Sequence, residues 1–156
     1  RLSRKFAPRL DYGDIKAELD RDGVSKPTAS DVSRAVIRIR QSKLPDPAVI
    51  GNTGSFFKNP VLADDAIDQF LQTHSLAPVF PSGQNGFRKL SAAWLIEQAG
   101  WKGFRDGDAG VHVKQALVLV NYGHATGLQL LDLSEKIKQS VRSKFGVTLE
   151  TEVNIL

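Results

Sequence analysis

The sequence predicts an α+β fold. Helical and extended signals alternate along the 156 residues without a regular strand–helix–strand period, and a doubly wound parallel sheet requires that period. Apolar residues recur at helical spacing in four stretches, while the extended runs between them are short. The length suits one good core with an appendage and is too short for two large domains.

The start, Leu2-Ser3-Arg4-Lys5-Phe6, resembles the end of a strand. The chain contains no methionine, so Arg1 is not a translation start, and a longer polypeptide is expected to precede it. Tyr12-Gly13-Asp14 is turn chemistry, residues 15–19 suit a short helical turn, and a polar loop runs to Pro27. The first firm helix is predicted over 30–42. Thr28 or Ser30 is its cap, Asp31 complements its dipole, and Val32, Ala35, Val36 and Ile39 form its buried stripe. Pro45 and Pro47 end it.

Residues 51–62 read as a glycine- and asparagine-rich approach to a short apolar run. A second helix is expected over 63–73, an edge strand over 78–81, a turn over 82–86, and a third helix over 91–99 with Gly100 as its cap. Residues 107–110 read as a turn and 116–121 as a buried strand. The last helix is predicted over 126–145, with Leu130, Leu133, Ile137 and Val141 on one face. Gly146 ends it, and 147–155 alternates as a final strand.

Composition narrows the functional classes. The 41% hydrophobic and 24% charged shares are those of an ordinary globular protein. The longest apolar run falls well short of the roughly 20 residues that a membrane-spanning helix needs. Without cysteine there is no disulfide, thiolate metal site or thiol nucleophile, which fits a reducing cytoplasm. His74, His112 and His124 lie too far apart for a short-spaced zinc helix, so no metal is expected. The net charge of +4 is scattered rather than massed, which reads as a solvated surface with a slight surplus and argues against nucleic acid.

The chemistry concentrates in Gly51-Asn52-Thr53-Gly54-Ser55-Phe56-Phe57-Lys58-Asn59-Pro60. Its glycines allow tight turns and close approach of a ligand. Ser55 sits on a constrained bend. One of Phe56 and Phe57 should anchor the turn if they point to opposite sides, and Lys58 and Asn59 add a charge and an amide. The segment is neither a Walker loop nor a nucleophile elbow: the single lysine follows two phenylalanines, and position 57 is not glycine.

Gly54-Ser55-Phe56-Phe57-Lys58-Asn59-Pro60 resembles the signature of the UDP-N-acetylenolpyruvoylglucosamine reductase (MurB) family. Further similar landmarks follow in order along essentially the whole chain. They are Tyr12-Gly13-Asp14, Ser42-Lys43-Leu44-Pro45-Asp46-Pro47, Ala93-Trp94-Leu95-Ile96-Glu97-Gln98, His112 with Gln115-Ala116-Leu117-Val118-Leu119-Val120-Asn121, and Leu149-Glu150-Thr151-Glu152-Val153.

The resemblance implies an NADPH- and FAD-dependent oxidoreductase acting on UDP-N-acetylglucosamine enolpyruvate in the cytoplasm. Ser55 would be the proton donor and Glu152 a polarising acid, expected to be buried. Lys43, Asn59, Lys102 and Gln115 would contact the substrate. Phe80 stands where many members carry a tyrosine, so it is left out of the contacts, and His112 reads as a supporting residue. FAD would be bound mainly by an N-terminal flavin domain outside this chain, so the chain alone should bind no flavin. The implied organisation is a tail of the flavin region with a linker helix (1–44), a substrate-binding domain (45–147) and a C-terminal strand (148–156). A UDP-sugar-binding module without catalysis is the alternative, and retention of both Ser55 and Glu152 argues against it.

Overall fold

A computed structural model describes residues 6–11 and 13–155. Of the strand end expected over 2–6, residues 2–5 lie outside the described residues and Phe6 is in no strand; Tyr12 of the turn also lies outside them. The chain divides into two compact units, Arg1–Leu44 and Pro45–Leu156.

The first unit holds helices α1 (Ile15–Arg21) and α2 (Ala29–Lys43). Thr28 starts α2 with a capping box: its hydroxyl accepts from the Asp31 N–H, and the Asp31 carboxylate accepts from the Thr28 N–H at 2.8 Å. These hydrogen bonds, Thr28's first among them, hold the Asp31 carboxyl below the usual carboxylate range. The predicted stripe of α2 faces α1. Ala35 is fully buried with Ile15 and Leu19, and Val32, Val36 and Ile39 pack around them.

The second unit is α+β, as the sequence predicts. It contains β1 (Gly51–Ser55), β2 (Val61–Ala63), α3 (Asp64–Thr73), β3 (Val79–Pro81), β4 (Phe87–Leu90), α4 (Ala92–Gln98), β5 (Arg105–Asp106), β6 (Ala109–Val111), β7 (Val118–Asn121) and α5 (Gly127–Phe145). The strands form two antiparallel sheets, ordered β1-β7-β6-β5 and β2-β4-β3. One core joins them to the helices: Ile67 from α3, Leu95 and Ile96 from α4, and Leu133, Ile137 and Val141 from α5, with Val111 and Leu119 from the first sheet and Leu90 from the second. Thr126 opens α5 with a second capping box, and Gly146 closes it at φ +69°.

Four sequence expectations are corrected. Residues 51–55, read as an approach loop, form β1, and the turn expected over 107–110 is the bend of a hairpin that continues into β6. Phe56 and Phe57 do not split between core and solvent. Both are buried, with ring centroids 5.2 Å apart. The final strand over 147–155 reduces to a single bridge, Phe57↔Thr151. Its alternation is real, since Val147 and Leu149 bury. The partner run, however, reaches Pro60, which has no N–H for a ladder, and the Pro60 carbonyl is taken by the Leu90 N–H at 2.9 Å.

Candidate active site

Segment 54–60 is a junction of three elements. The Phe56 N–H donates to the Leu117 carbonyl at 2.7 Å, just ahead of β7. The Lys58 N–H donates to Glu150 O (2.9 Å), and the Glu152 N–H donates to Phe56 O (2.8 Å), which docks the C-terminal segment alongside. Asn59 Oδ1 accepts from the Ala92 N–H at 2.9 Å and so holds the start of α4. The two buried phenylalanine rings anchor the junction in the core.

Ser55 is exposed at the end of β1, where it pairs with Val118 of β7. Glu152 is also exposed, contrary to the buried carboxyl expected, and its backbone is bonded to the residue that follows Ser55. The structure therefore brings the backbones of Ser55 and Glu152 to neighbouring positions through Phe56, with both side chains open to a ligand.

Gln115 is half-buried in the turn between β6 and β7, and its carbonyl accepts from the Val118 N–H at 3.1 Å. It thus lies three residues from the partner of Ser55. Lys102 is placed differently. It follows the C-terminal end of α4 and pairs with Glu97 at 2.8 Å, whereas Asn59 holds the other end. The two are separated by about 10 Å of helix. Lys43 belongs to the first unit, where its ammonium hydrogen-bonds Asp14 and holds that carboxyl below the usual range. His112 is half-buried. Burial, and secondarily the charge of Lys114, push its imidazole below the usual histidine range, and its Nδ1 has no partner among the described residues.

One residue that the sequence reading missed is Lys89, on the central strand of the second sheet. Val61, Lys89 and Phe80 stand directly opposite one another across β2, β4 and β3, so their side chains share a face. Val61, Phe80 and Phe87 are exposed there. Lys89 is half-buried and makes no salt bridge among the described residues, unlike its neighbour Arg88, which Asp64 and Asp68 neutralise at 2.7 and 2.6 Å. An open groove of about 680 Å³ runs past Phe80, Phe87, Arg88 and the turn over 82–86. The available signal was that turn, flanked by two short extended runs.

The residues present do not fit FAD. Helices α2, α4 and α5 are capped by Thr28, by Ser91 with Asn59, and by Thr126, and the acidic residues at the starts of α1 (Asp14) and α3 (Asp64 and Asp65) repel phosphate. Among the described residues no helix start is left as a pyrophosphate cradle. Among the described residues there is no group of three or more potential metal ligands and no helix long and apolar enough to cross a membrane.

The family model for the C-terminal domain of UDP-N-acetylenolpyruvoylglucosamine reductase matches residues 46–156. This chain belongs to the MurB reductase family. It is similar to the UDP-N-acetylenolpyruvoylglucosamine reductase of Chromobacterium violaceum, at 58% identity over 100% of the chain and 46% of that protein. It is similar to the same-named proteins of Pseudomonas syringae pv. tomato (54% identity, 99% of this chain, 45% of that protein) and Pseudomonas aeruginosa (50%, 99% and 45%). The chain thus spans a little under half the length of these relatives. Among solved structures it resembles a MurB from Thermus caldophilus, with a TM-score of 0.49 and 25% identity, over 83% of this chain and 36% of that one.

Proposed function

We propose that this chain is the substrate-binding part of a reductase that converts UDP-N-acetylglucosamine enolpyruvate to UDP-N-acetylmuramate, a cytoplasmic step of peptidoglycan precursor synthesis. The observation that carries the reading is the junction at segment 54–60, where an exposed Ser55 lies beside the backbone of an exposed Glu152. In this reading FAD, reduced by NADPH, supplies the hydride and is held by an N-terminal flavin domain, with residues 1–44 the tail of that region. Ser55 donates its hydroxyl proton to the carbanion-like enol of the substrate. A serine hydroxyl is a weak acid, so the reaction needs an environment that stabilises the alkoxide as the proton leaves. Glu152 polarises the enolpyruvyl group. Asn59, Gln115 and Lys89 orient the ligand, and Lys102 adds charge for its diphosphate and carboxylate.

The experiment is Ser55→Ala in the full-length enzyme. Sugar reduction should be lost while reduction of the flavin by NADPH survives, and normal turnover would sink the assignment. A wild-type protein that binds the UDP-sugar but never reduces it would favour a binding module without catalysis.

A further inference from the structure

Strand β1 is not regular. Asn52 pairs with Val120 and Ser55 with Val118, so three steps along β1 match two along β7. That is one extra residue, a β-bulge. Gly54 lies in it at φ +74°, a conformation open to glycine and strained for other residues. Asn52 closes the bulge on both sides. Its Nδ2 donates to the Ile50 carbonyl at 3.0 Å, and its Oδ1 accepts from the Gly54 N–H at 3.0 Å. Both ends of the amide are therefore committed to backbone two residues to either side of Asn52.

The bulge decides which face Ser55 occupies. In an even ladder, residues three apart point to opposite faces. With one residue added, Asn52 and Ser55 both stand opposite valines of the same face, Val120 and Val118. Leu119, between those valines, faces the main core together with Phe56. A β1 without the bulge would turn Ser55 toward that core and Phe56 away from it.

We propose that Asn52 is the positioning residue of Ser55: its amide holds the Gly54 bulge that keeps the exposed serine hydroxyl on the side away from the main core, with Phe56 anchored in that core behind it. This inference rests on the proton-donor reading of Ser55.

The test uses the full-length reductase with its flavin bound. Two half-reactions are followed by rapid mixing, flavin reduction by NADPH and flavin reoxidation by UDP-N-acetylglucosamine enolpyruvate, and the Kd for the sugar is measured by calorimetry. Asn52→Ala should slow reoxidation by on the order of 10- to 100-fold, the scale of an ångström-sized misplacement. NADPH reduction and the sugar Kd should stay within about threefold, which marks loss of an interaction made only in the transition state. Asn52→Asp keeps an oxygen for the Gly54 N–H and should recover most of the rate.

Wild-type reoxidation in Asn52→Ala overturns the inference. So does a parallel fall in both half-reactions and binding, or an Asn52→Asp as slow as the alanine variant. If Asn52→Ala does not fold, Gly54→Ala carries the test. A Cβ there meets nothing within 4 Å, so it perturbs only the backbone. Selective loss of reoxidation in that variant supports the inference, and an unchanged rate overturns it. Ser55→Ala in parallel separates the two readings. Normal reoxidation in Ser55→Ala overturns the proton-donor reading itself, whereas its loss alongside wild-type reoxidation in Asn52→Ala overturns only the positioning inference.

Discussion

In the sheet β1-β7-β6-β5, successive residues of the central strand bury on opposite faces. Leu119 packs into the main core, and Val118 and Val120, which point the other way, are 0% exposed. The sheet β2-β4-β3 is covered on one face only. Leu90 is 0% exposed against the core, while Val61, Phe80 and Phe87 on the alternate face are 39–47% exposed around Lys89. The same antiparallel pairing thus serves two purposes. Where both faces are packed, a register cannot slip without moving apolar groups into water, so the first sheet is suited to hold Ser55 in one place. Where one face is open, side chains can meet a ligand at little cost to the fold.

The sharpest test of that contrast lies in two adjacent residues of β4. Leu90→Ala removes a fully buried side chain from the main core and leaves a cavity there. A loss of roughly 2–5 kcal/mol is expected from denaturant unfolding of the full-length protein. A change below about 1 kcal/mol would mean that the second sheet is not anchored as described.

Lys89→Ala, one position along, should leave stability within about 0.5 kcal/mol, since the residue is half-buried and makes no salt bridge among the described residues. Binding of the diphosphate-bearing sugar should weaken by about 10-fold, the equivalent of losing one charge-assisted hydrogen bond. Calorimetry at two salt concentrations checks this, because the loss should shrink as screening rises. Unaltered affinity would remove the open face from the site.

The contrast also explains what was legible in the sequence. Helices α2, α3 and α5 were readable because Val32, Ala35, Val36 and Ile39, or Leu133, Ile137 and Val141, repeat at helical spacing whatever their partners are. Strand β1 was not, because Gly51-Asn52-Thr53-Gly54-Ser55 carries no apolar alternation and its pairing with β7 is set across more than sixty residues of chain. The same holds for β4, whose four residues show their two faces only once β2 and β3 lie on either side. At the site, Ser55 and Asn59 stood out because they share one contiguous motif with glycines and phenylalanines. Lys89 and Asn52 did not. The importance of Lys89 comes from a register, and that of Asn52 from a bulge, and neither is a local property of sequence. The over-read C-terminal strand is the converse case: alternation at Val147 and Leu149 reported burial, while Pro60 limited the pairing.

The smallest expected effect lies at the far edge of the first sheet, where polar bonds do the holding. Asp108, in the bend between β5 and β6, accepts from the His124 N–H at 2.8 Å and from Arg105 at 3.2 Å, and Arg105 lies 4.0 Å over the Tyr122 ring. The His124 N–H first, and Arg105 after it, hold the Asp108 carboxyl below the usual carboxylate range. A folded-state pKa below the unfolded one means that the unfolded chain binds the proton more readily. The stabilisation is therefore complete above the unfolded value of about 4 and is lost as pH falls through the lower folded value. Asp108→Asn keeps an oxygen for the His124 N–H but cannot titrate. It should lower the unfolding midpoint slightly at pH 7 and flatten the fall in stability as pH drops below about 4. The group is only half-buried, so added salt should reduce the difference. An identical pH slope in variant and wild type would show that this edge is held by Arg105 stacked on Tyr122 rather than by the carboxylate.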